Sequence, residues 1–529
     1  MTVQMAKRRT GLVLLGAAVI PAVLSCPQGA FPLPVLMPAS AAVASLPMLA
    51  PDPGWPSAGM TIAARAYSRG SLRAVPDGAG GAIAAWQDAR KLPPASCNCR
   101  DVDDLYAQRV SPDGRALWGT DGLAVCTWTG LWGGADLLAG LFSPSPGGAR
   151  RTGSALVFWY HSDGPVGTFV HSISPEGKLE RGNDGATVYA AATGTRWKGR
   201  CAGGENGEIW LGLGGDRPEQ LQIGECVVKH GVPVCATPVV LSVEGEVVTA
   251  MVVAGKKGRN IFVAVVYKPR EGVLALRTVP LDRGSVTAHD PAAPIWEGKS
   301  DRTTFDCAPD GSGGLFVVWT APESGTTGVF AQRLDGKGRP VWGAGVALGR
   351  TSAPVPVTAL VHPASRSLAA AWVDDGKLFV VPVTGAGANG FSAIGNRQTS
   401  FGAGKPDGPV PGPTASEPLA IAKLRLAPGP VLGDRISPER RFIVVPLRKS
   451  WGAGWIEQEE TGEAVTVAAF DRKGTVGPST TVFRKAGVLA DLEGLVPQPD
   501  GSLFVFWADS RVGGYPVTLC VRRLVGKGL

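Results

Sequence analysis

Pro76–Arg90 reads PDGAGGAIAAWQDAR, and Asp104–Cys126 continues it as DLYAQRVSPDGRALWGTDGLAVC. Within this stretch a Pro-Asp-Gly turn leads into an apolar run ending in Trp86. A second run follows at Leu105–Val110, then the tight-turn chemistry of Ser111-Pro112-Asp113-Gly114, then a last run from Ala116 to Val125. With a strand entering at Leu72–Val75, the unit reads as four short strands in a meander. The unit recurs at Pro309, as PDGSGGLFVVWTAPESG followed by VFAQRLDGKGRPVWGAGVAL. A third copy starts at Pro499, as PDGSLFVFWADSR followed by TLCVRRLVGKGL. That copy stops before its Trp-Gly segment. The missing piece matches Pro53–Ile62, PGWPSAGMTI, near the other terminus, where Trp55 corresponds to Trp342.

The rest of the chain repeats the second strand more loosely. Its marker positions are Trp86, Trp159, Trp210, Val266, Trp319, Trp372, Trp455 and Trp507. Five of the seven intervals between them are 51 to 56 residues, and the other two are 73 and 83. A period near 52 with two insertions is the signature of a radial array of four-stranded sheets. The expected fold is therefore all-β: a single β-propeller over residues 53–529, with eight four-stranded blades, or seven if a weak unit near 210 or 266 is misread. An N-terminal strand would complete the last blade and close the ring, sparing the end blades an exposed edge. Insertions are expected at 91–103 and at about 385–440, the second rich in Pro and Gly.

Composition agrees. Of 529 residues, 73 are Gly and 44 Pro, which suits many strands and turns; with 44% apolar and 18% charged residues the chain is not a disordered one. The formal charge is +8, but Lys7, Arg8 and Arg9 contribute three of those charges within a removable leader. No basic run with interleaved aromatics occurs, so nucleic acid is not expected as a partner.

Residues 1–26 read as an export signal, with Lys7-Arg8-Arg9 ahead of the apolar segment Gly11–Leu24. Val23-Leu24-Ser25-Cys26 has lipobox character, which makes Cys26 a lipidation candidate. Cleavage after Ala39-Ser40-Ala41 is the alternative. Residues 27–52 read as a linker. The expected location is extracytoplasmic, secreted or lipid-anchored to a bacterial envelope. Nine cysteines suit that compartment, and Cys226 and Cys235, nearly symmetric about the turn Lys229-His230-Gly231, are a disulfide candidate pair.

The repeat resembles a class of exported bacterial β-propeller proteins. The residues that carry the likeness are Asp77-Gly78, Gly80-Gly81, Trp86, Asp88, Arg90, Asp104, Tyr106-Ala107-Gln108-Arg109, Asp113-Gly114 and Trp118. The resemblance implies the fold and export; the class has no single activity to lend.

Site candidates are few. The strand Trp residues sit inside apolar runs and are assigned to packing between blades. Asp88/Arg90 and Asp509/Arg511 follow their Trp at equal offsets; they are ligand-binding candidates, weighed against a loop-fixing ion pair. Asp101, Asp103 and Asp104 are weak Ca²⁺ candidates without EF-hand spacing, set against a solvated acidic loop. No other metal or cofactor is expected. The five histidines are scattered, and no nucleophile elbow, phosphate loop or compact metal motif appears. The preferred reading is a monomeric, non-catalytic binding module for an envelope protein or an extracellular glycan. The rivals are a carbohydrate-active hydrolase or lyase on the same scaffold, and a structural role in surface assembly.

Overall fold

The apolar runs become strands because they alternate between two buried faces and are bounded by Gly, Pro and Asp turns. The computed structural model describes residues 48–66, 72–90, 104–127, 135–139, 152–179, 186–190, 202–254, 260–282, 294–391, 419–420 and 442–527, less short interruptions within these ranges. Every regular element among them is a β-strand. Two N-terminal strands come first, β1 (Met48–Pro51) and β2 (Met60–Ala66). The first sheet holds β3 (Arg73–Pro76), β4 (Ala82–Asp88), β5 (Asp104–Val110) and β6 (Leu123–Cys126). The second holds β7 (Ala135–Ala139), β8 (Ala155–His161), β9 (Gly167–Ile173) and β10 (Ala186–Ala190). The third holds β11 (Ala202–Gly203), β12 (Glu208–Gly214) and β13 (Gln220–Lys229), with β14 (Val232–Cys235) and β15 (Val239–Ser242) sharing the outer edge of β13.

The fourth sheet holds β16 (Glu246–Ala254), β17 (Asn260–Arg270), β18 (Val273–Asp282) and β19 (Trp296–Lys299). The fifth holds β20 (Phe305–Pro309), β21 (Leu315–Glu323), β22 (Thr326–Leu334) and β23 (Val346–Thr351). The sixth holds β24 (Val357–Val361), β25 (Leu368–Asp374) and β26 (Lys377–Val383). A small hairpin, β27 (Gly385–Ala386) and β28 (Gly390–Phe391), precedes its outer strand β29 (Leu419–Ala420). The seventh holds β30 (Phe442–Pro446), β31 (Trp451–Glu459), β32 (Gly462–Phe470) and β33 (Thr480–Ala486). The eighth holds β34 (Val488–Pro497), β35 (Leu503–Arg511) and β36 (Val517–Lys527), and β1 and β2 pair with β36. All pairings are antiparallel, and they join consecutive strands except for β13 with β15, β26 with β29, and β1 and β2 with β36.

First strands pack on one another from sheet to sheet: β3 on β7, β16 on β20, β20 on β24, β24 on β30, β30 on β34, and β34 on β3. The core lies between the sheets. Trp86, Tyr106, Phe504 and Ile62 fill the space between eighth and first sheets, and Trp159 with Ile83 and Trp118 that between first and second. Six of the marker Trp residues are each the fifth residue of a second strand, in β4, β8, β21, β25, β31 and β35, and each packs toward the preceding sheet. Trp210 and Val266 differ: they pack toward the following sheet. Successive residues of a strand face opposite ways, so these two looser copies are out of phase with the others.

The repeat's polar residues lock the turns. Asp77 Oδ1 accepts the Ala79 and Gly81 N–H groups, and its Oδ2 accepts Arg109 Nε at 2.9 Å. Asp310 does the same with Ser312, Gly314 and Arg333. Gln108 Nε2 donates to Gly119 O while its Oε1 accepts from Arg109 N and Trp118 N, and Gln332 repeats the pattern with Gly343, Arg333 and Trp342. The third copy departs from the sequence alignment. There Gln498, not Asp500, takes the backbone place of Asp77, donating N–H to Ser502 O as Asp77 does to Gly81 O. Asp500 lies two residues closer to its strand Trp than Asp77 does, yet it still reaches Arg523 Nη2 at 2.6 Å.

The N-terminal contribution to the last sheet starts earlier than the boundary at residue 53. β36 has 11 residues, more than β2 alone covers. β2 pairs with its Val517–Val521 part, and β1 lies end to end with β2, pairing Met48–Pro51 with Lys527–Leu524. The stretch read as a linker to residue 52 therefore ends in a strand, and Leu49 is fully buried. Arg523 ties this junction: it reaches Asp500, Asp52 Oδ2 at 3.2 Å, and the carbonyl of Pro112 in the first sheet. Trp55 takes part as well. Its Nε1 donates to Pro112 O at 2.9 Å, as Trp118 Nε1 donates to Pro175 O at 3.0 Å one sheet further on.

Candidate functional site

In an antiparallel sheet the start of the first strand and the end of the second lie at the same end. The described residues Asp88, Arg90, Asp104 and Asp509 all fall at that end. Asp88 is fully buried and spends both oxygens locally. Oδ1 accepts the Arg90 N–H at 2.9 Å; Oδ2 accepts Arg90 Nε at 2.7 Å and the Trp86 indole at 3.2 Å. The Arg90 guanidinium lies 3.9 Å from the centroid of the Tyr106 ring and donates to Asp121 O. This is the geometry of an ion pair that fixes the strand end and covers the Trp–Tyr stack.

The second Asp-x-Arg copy is built differently. Burial pushes the Asp509 carboxyl above its ordinary value, against the pull of Lys485 and a Thr518 hydrogen bond. Arg511 pairs through its backbone with Val488, and its side chain lies outside the described residues. Opposite Trp507 stands Cys520, where four other sheets place an aromatic: Tyr106 opposite Trp86, Phe169 opposite Trp159, Phe330 opposite Trp319, Phe379 opposite Trp372. Phe483 of the seventh sheet supplies the missing ring, 5.5 Å from Trp507. Burial, with the nearby Asp509, pushes the Cys520 thiol up to about 12.

Asp104 opens β5 opposite Asp88 and is buried; Asp101 and Asp103 lie outside the described residues, as do Cys26 and the insertion 91–103. Among the described residues no group of three His, Cys, Asp or Glu is placed to hold a metal ion. Cys226 and Cys235 face each other across β13 and β14 and form a disulfide.

The feature that joins several sheets is a cavity of about 390 Å³ lined by the first strands of five of them. It takes Arg73 and Ala74 from β3, Phe305 and Asp306 from β20, Val357 and Thr358 from β24, Phe442–Val444 from β30, and Glu493–Leu495 from β34. Most of these residues sit at the beginnings of their strands, so the cavity lies toward the end that carries Asp88 and Arg90. Neither of those two lines it. Its charged members are Arg73, exposed; Asp306, half-buried; and Glu493, buried. Asp306 Oδ2 accepts the Ala359 N–H of the neighbouring sheet at 2.8 Å. Glu493 is an extra residue: Leu492 pairs with Trp507 and Gly494 with Phe506, leaving Glu493 between them as a β-bulge. A bulge breaks the inside-outside alternation and re-aims a side chain. The sequence reading missed all three. Arg73 and Asp306 sit in strands too short to show alternation, and a bulge leaves no mark in periodicity. The one available signal was Asp491-Leu492-Glu493-Gly494, acidic residues and a glycine inside a strand expected to be apolar.

No family model matches the chain, and no curated protein matches it in sequence. Among solved structures it is similar to the WD40 domain of SCAP from fission yeast, with TM-score 0.46 and 9% identity over 88% of this chain and 93% of that one. A polysaccharide lyase described as an ulvan lyase gives 0.40 and 10%, over 92% and 98%. A puromycin-hydrolysing peptidase of Mycobacterium tuberculosis gives 0.40 and 12%, over 90% and 62%. These neighbours are WD40 and propeller-type proteins, and at such scores they carry no argument about the cavity's chemistry.

Proposed function

We propose that the chain is an exported, closed, eight-bladed β-propeller that binds the end of an extracytoplasmic glycan in the cavity lined by its first strands. In this reading each of the eight sheets is a blade, and β1 and β2 fasten the ring by completing the eighth. The observation that carries the binding role is the cavity itself: Arg73, Asp306, Glu493, Thr304 and Thr358 bring charge and hydroxyl groups together from separate blades. The repeat's own carboxylates Asp77, Asp88, Asp310 and Asp500 are consumed in ion pairs. A volume of about 390 Å³ falls at the small end of ligand pockets, the size of one or two sugar rings. Ligand sites favour such places, where a rigid scaffold holds a few convergent polar groups.

Glu493→Gln keeps the shape and removes the charge. It should weaken binding of the best saccharide in a panel about tenfold in titration calorimetry, as should Arg73→Ala, with unfolding temperatures unchanged. Unaltered affinity in both variants would move the site elsewhere. Two carboxylates, Asp306 and Glu493, in one cavity also favour a second reading, a hydrolase or lyase. Release of shortened products from the bound saccharide, lost in Glu493→Gln, would establish that reading over simple binding. The export leader supports an extracytoplasmic location, and mass spectrometry of the mature N-terminus decides between a lipid on Cys26 and cleavage after Ala41.

A further inference from the structure

The opposite end of the sheets carries the turns from first to second and from third to fourth strands. In the first, fifth and eighth sheets the arginines there are matched by acids. Arg109 pairs with Asp77 at 2.9 Å, Arg333 with Asp310 at 2.7 Å, and Arg523 with Asp500 at 2.6 Å. Arg115 pairs with Asp113 at 2.8 Å and Arg339 with Asp335 at 2.7 Å. The sixth and seventh sheets break the rule. Where Asp77 and Asp310 stand, they have His362 and Leu447, by the same backbone bonds across the turn. Where Arg109 and Arg333 stand, they have Pro382 and Ala469. The turns instead read His362-Pro363-Ala364-Ser365-Arg366-Ser367 and Leu447-Arg448-Lys449-Ser450, with no acidic residue in either.

Arg366, Arg448 and Lys449 are exposed, and none makes an ion pair among the described residues. The two turns are neighbours, since the His362 ring meets the Trp451 ring edge-on at 5.4 Å. Arg366 holds φ at 53°, in the left-handed region that a branched or long side chain seldom adopts. We infer that this end of the sixth and seventh sheets is a docking surface for a carboxylated polysaccharide, whose anionic groups meet Arg366, Arg448 and Lys449. Three cations are fewer than the four to eight that recruit a chain to an anionic bilayer. The aromatic rings at these turns, His362 and Trp451, are buried, which leaves no stacking platform for single-stranded nucleic acid. A flexible anionic glycan needs neither.

The test measures binding of polygalacturonate and of uncharged dextran to the full chain at low and high salt. The wild type should bind polygalacturonate in a salt-sensitive way and leave dextran unbound. The triple variant Arg366→Asn, Arg448→Gln, Lys449→Gln should bind about tenfold more weakly, with a shallower salt dependence. Asn suits the left-handed backbone at 366, and all three side chains are exposed, so an unchanged unfolding temperature is expected as the folding control. Arg302→Gln, exposed at the end of the sheets that carries the cavity, should bind as wild type, which separates this surface from that end. Equal binding by wild type and triple variant, no binding of polygalacturonate by the wild type, or binding of phosphatidylglycerol vesicles in its place would each overturn the inference.

Discussion

Asp310 shows how much one turn residue carries. Burial opposes its ionisation, but hydrogen bonds from the Ser312 hydroxyl and N–H, from the Arg333 guanidinium and from the Gly314 N–H outweigh it, holding the carboxyl below its ordinary value. A carboxyl whose value is depressed in the folded state adds stability above the ordinary carboxylate range and loses it as pH falls through the folded value. Asp310→Asn should therefore cost roughly 2 kcal/mol near neutral pH, and the gap to wild type should close as the solution is acidified below about pH 4. Chemical denaturation across pH checks this; a pH-independent gap would assign the loss to packing instead. The Asp-Gly turn and the Ala-Gln-Arg segment were both legible as motifs in the sequence. Their connection was not, because Asp310 and Arg333 are 23 residues apart and meet only when the first and third strands flank the second.

At the scale of the strand, hydrophobic periodicity did most of the work. A Trp at the fifth place of an apolar run marks a second strand in six sheets, and in four of them register sets an aromatic of the third strand opposite it. The looser copies at Trp210 and Val266 were found as strands but with the opposite facing, because a single-residue slip is invisible in a run that is apolar on both sides. Glu493 escaped for the same reason: a bulge changes direction without changing composition. The third sheet offers a further check on an outer strand. The Cys226–Cys235 disulfide closes a loop with a sequence separation of 9 and pins β14 to β13. Replacing both with Ser should lower stability by roughly 2–3 kcal/mol on the chain-entropy account. Thermal unfolding with and without reductant reads the effect: reduction should move wild type to the level of the double variant and leave the variant where it is.

For the whole molecule the decisive element is the joining of the two ends. The split repeat predicted an N-terminal strand completing the last sheet, and β2 pairs with β36. The sequence did not reveal that β1 would share that edge, since Met48–Pro51 matches no part of the repeat and its place follows from the length of β36. Arg523, Trp55 and Gln498 then bind the eighth sheet to the first, Gln498 by donating to Gly81 O across the junction. If the ring is closed this way, the ends of the chain are held by the cooperativity of the whole. The most direct measurement uses the native thiol at 520. Thr61 stands opposite Cys520 in the register of β2 and β36, a spacing that a disulfide spans. In Thr61→Cys, with a copper–phenanthroline oxidant to overcome the high thiol value, mass spectrometry of the digested protein should find the residue 61 peptide joined to the residue 520 peptide in most molecules, at a yield independent of protein concentration. Thiols that stay free at both positions, or cross-links that form solely between molecules, would contradict the closure.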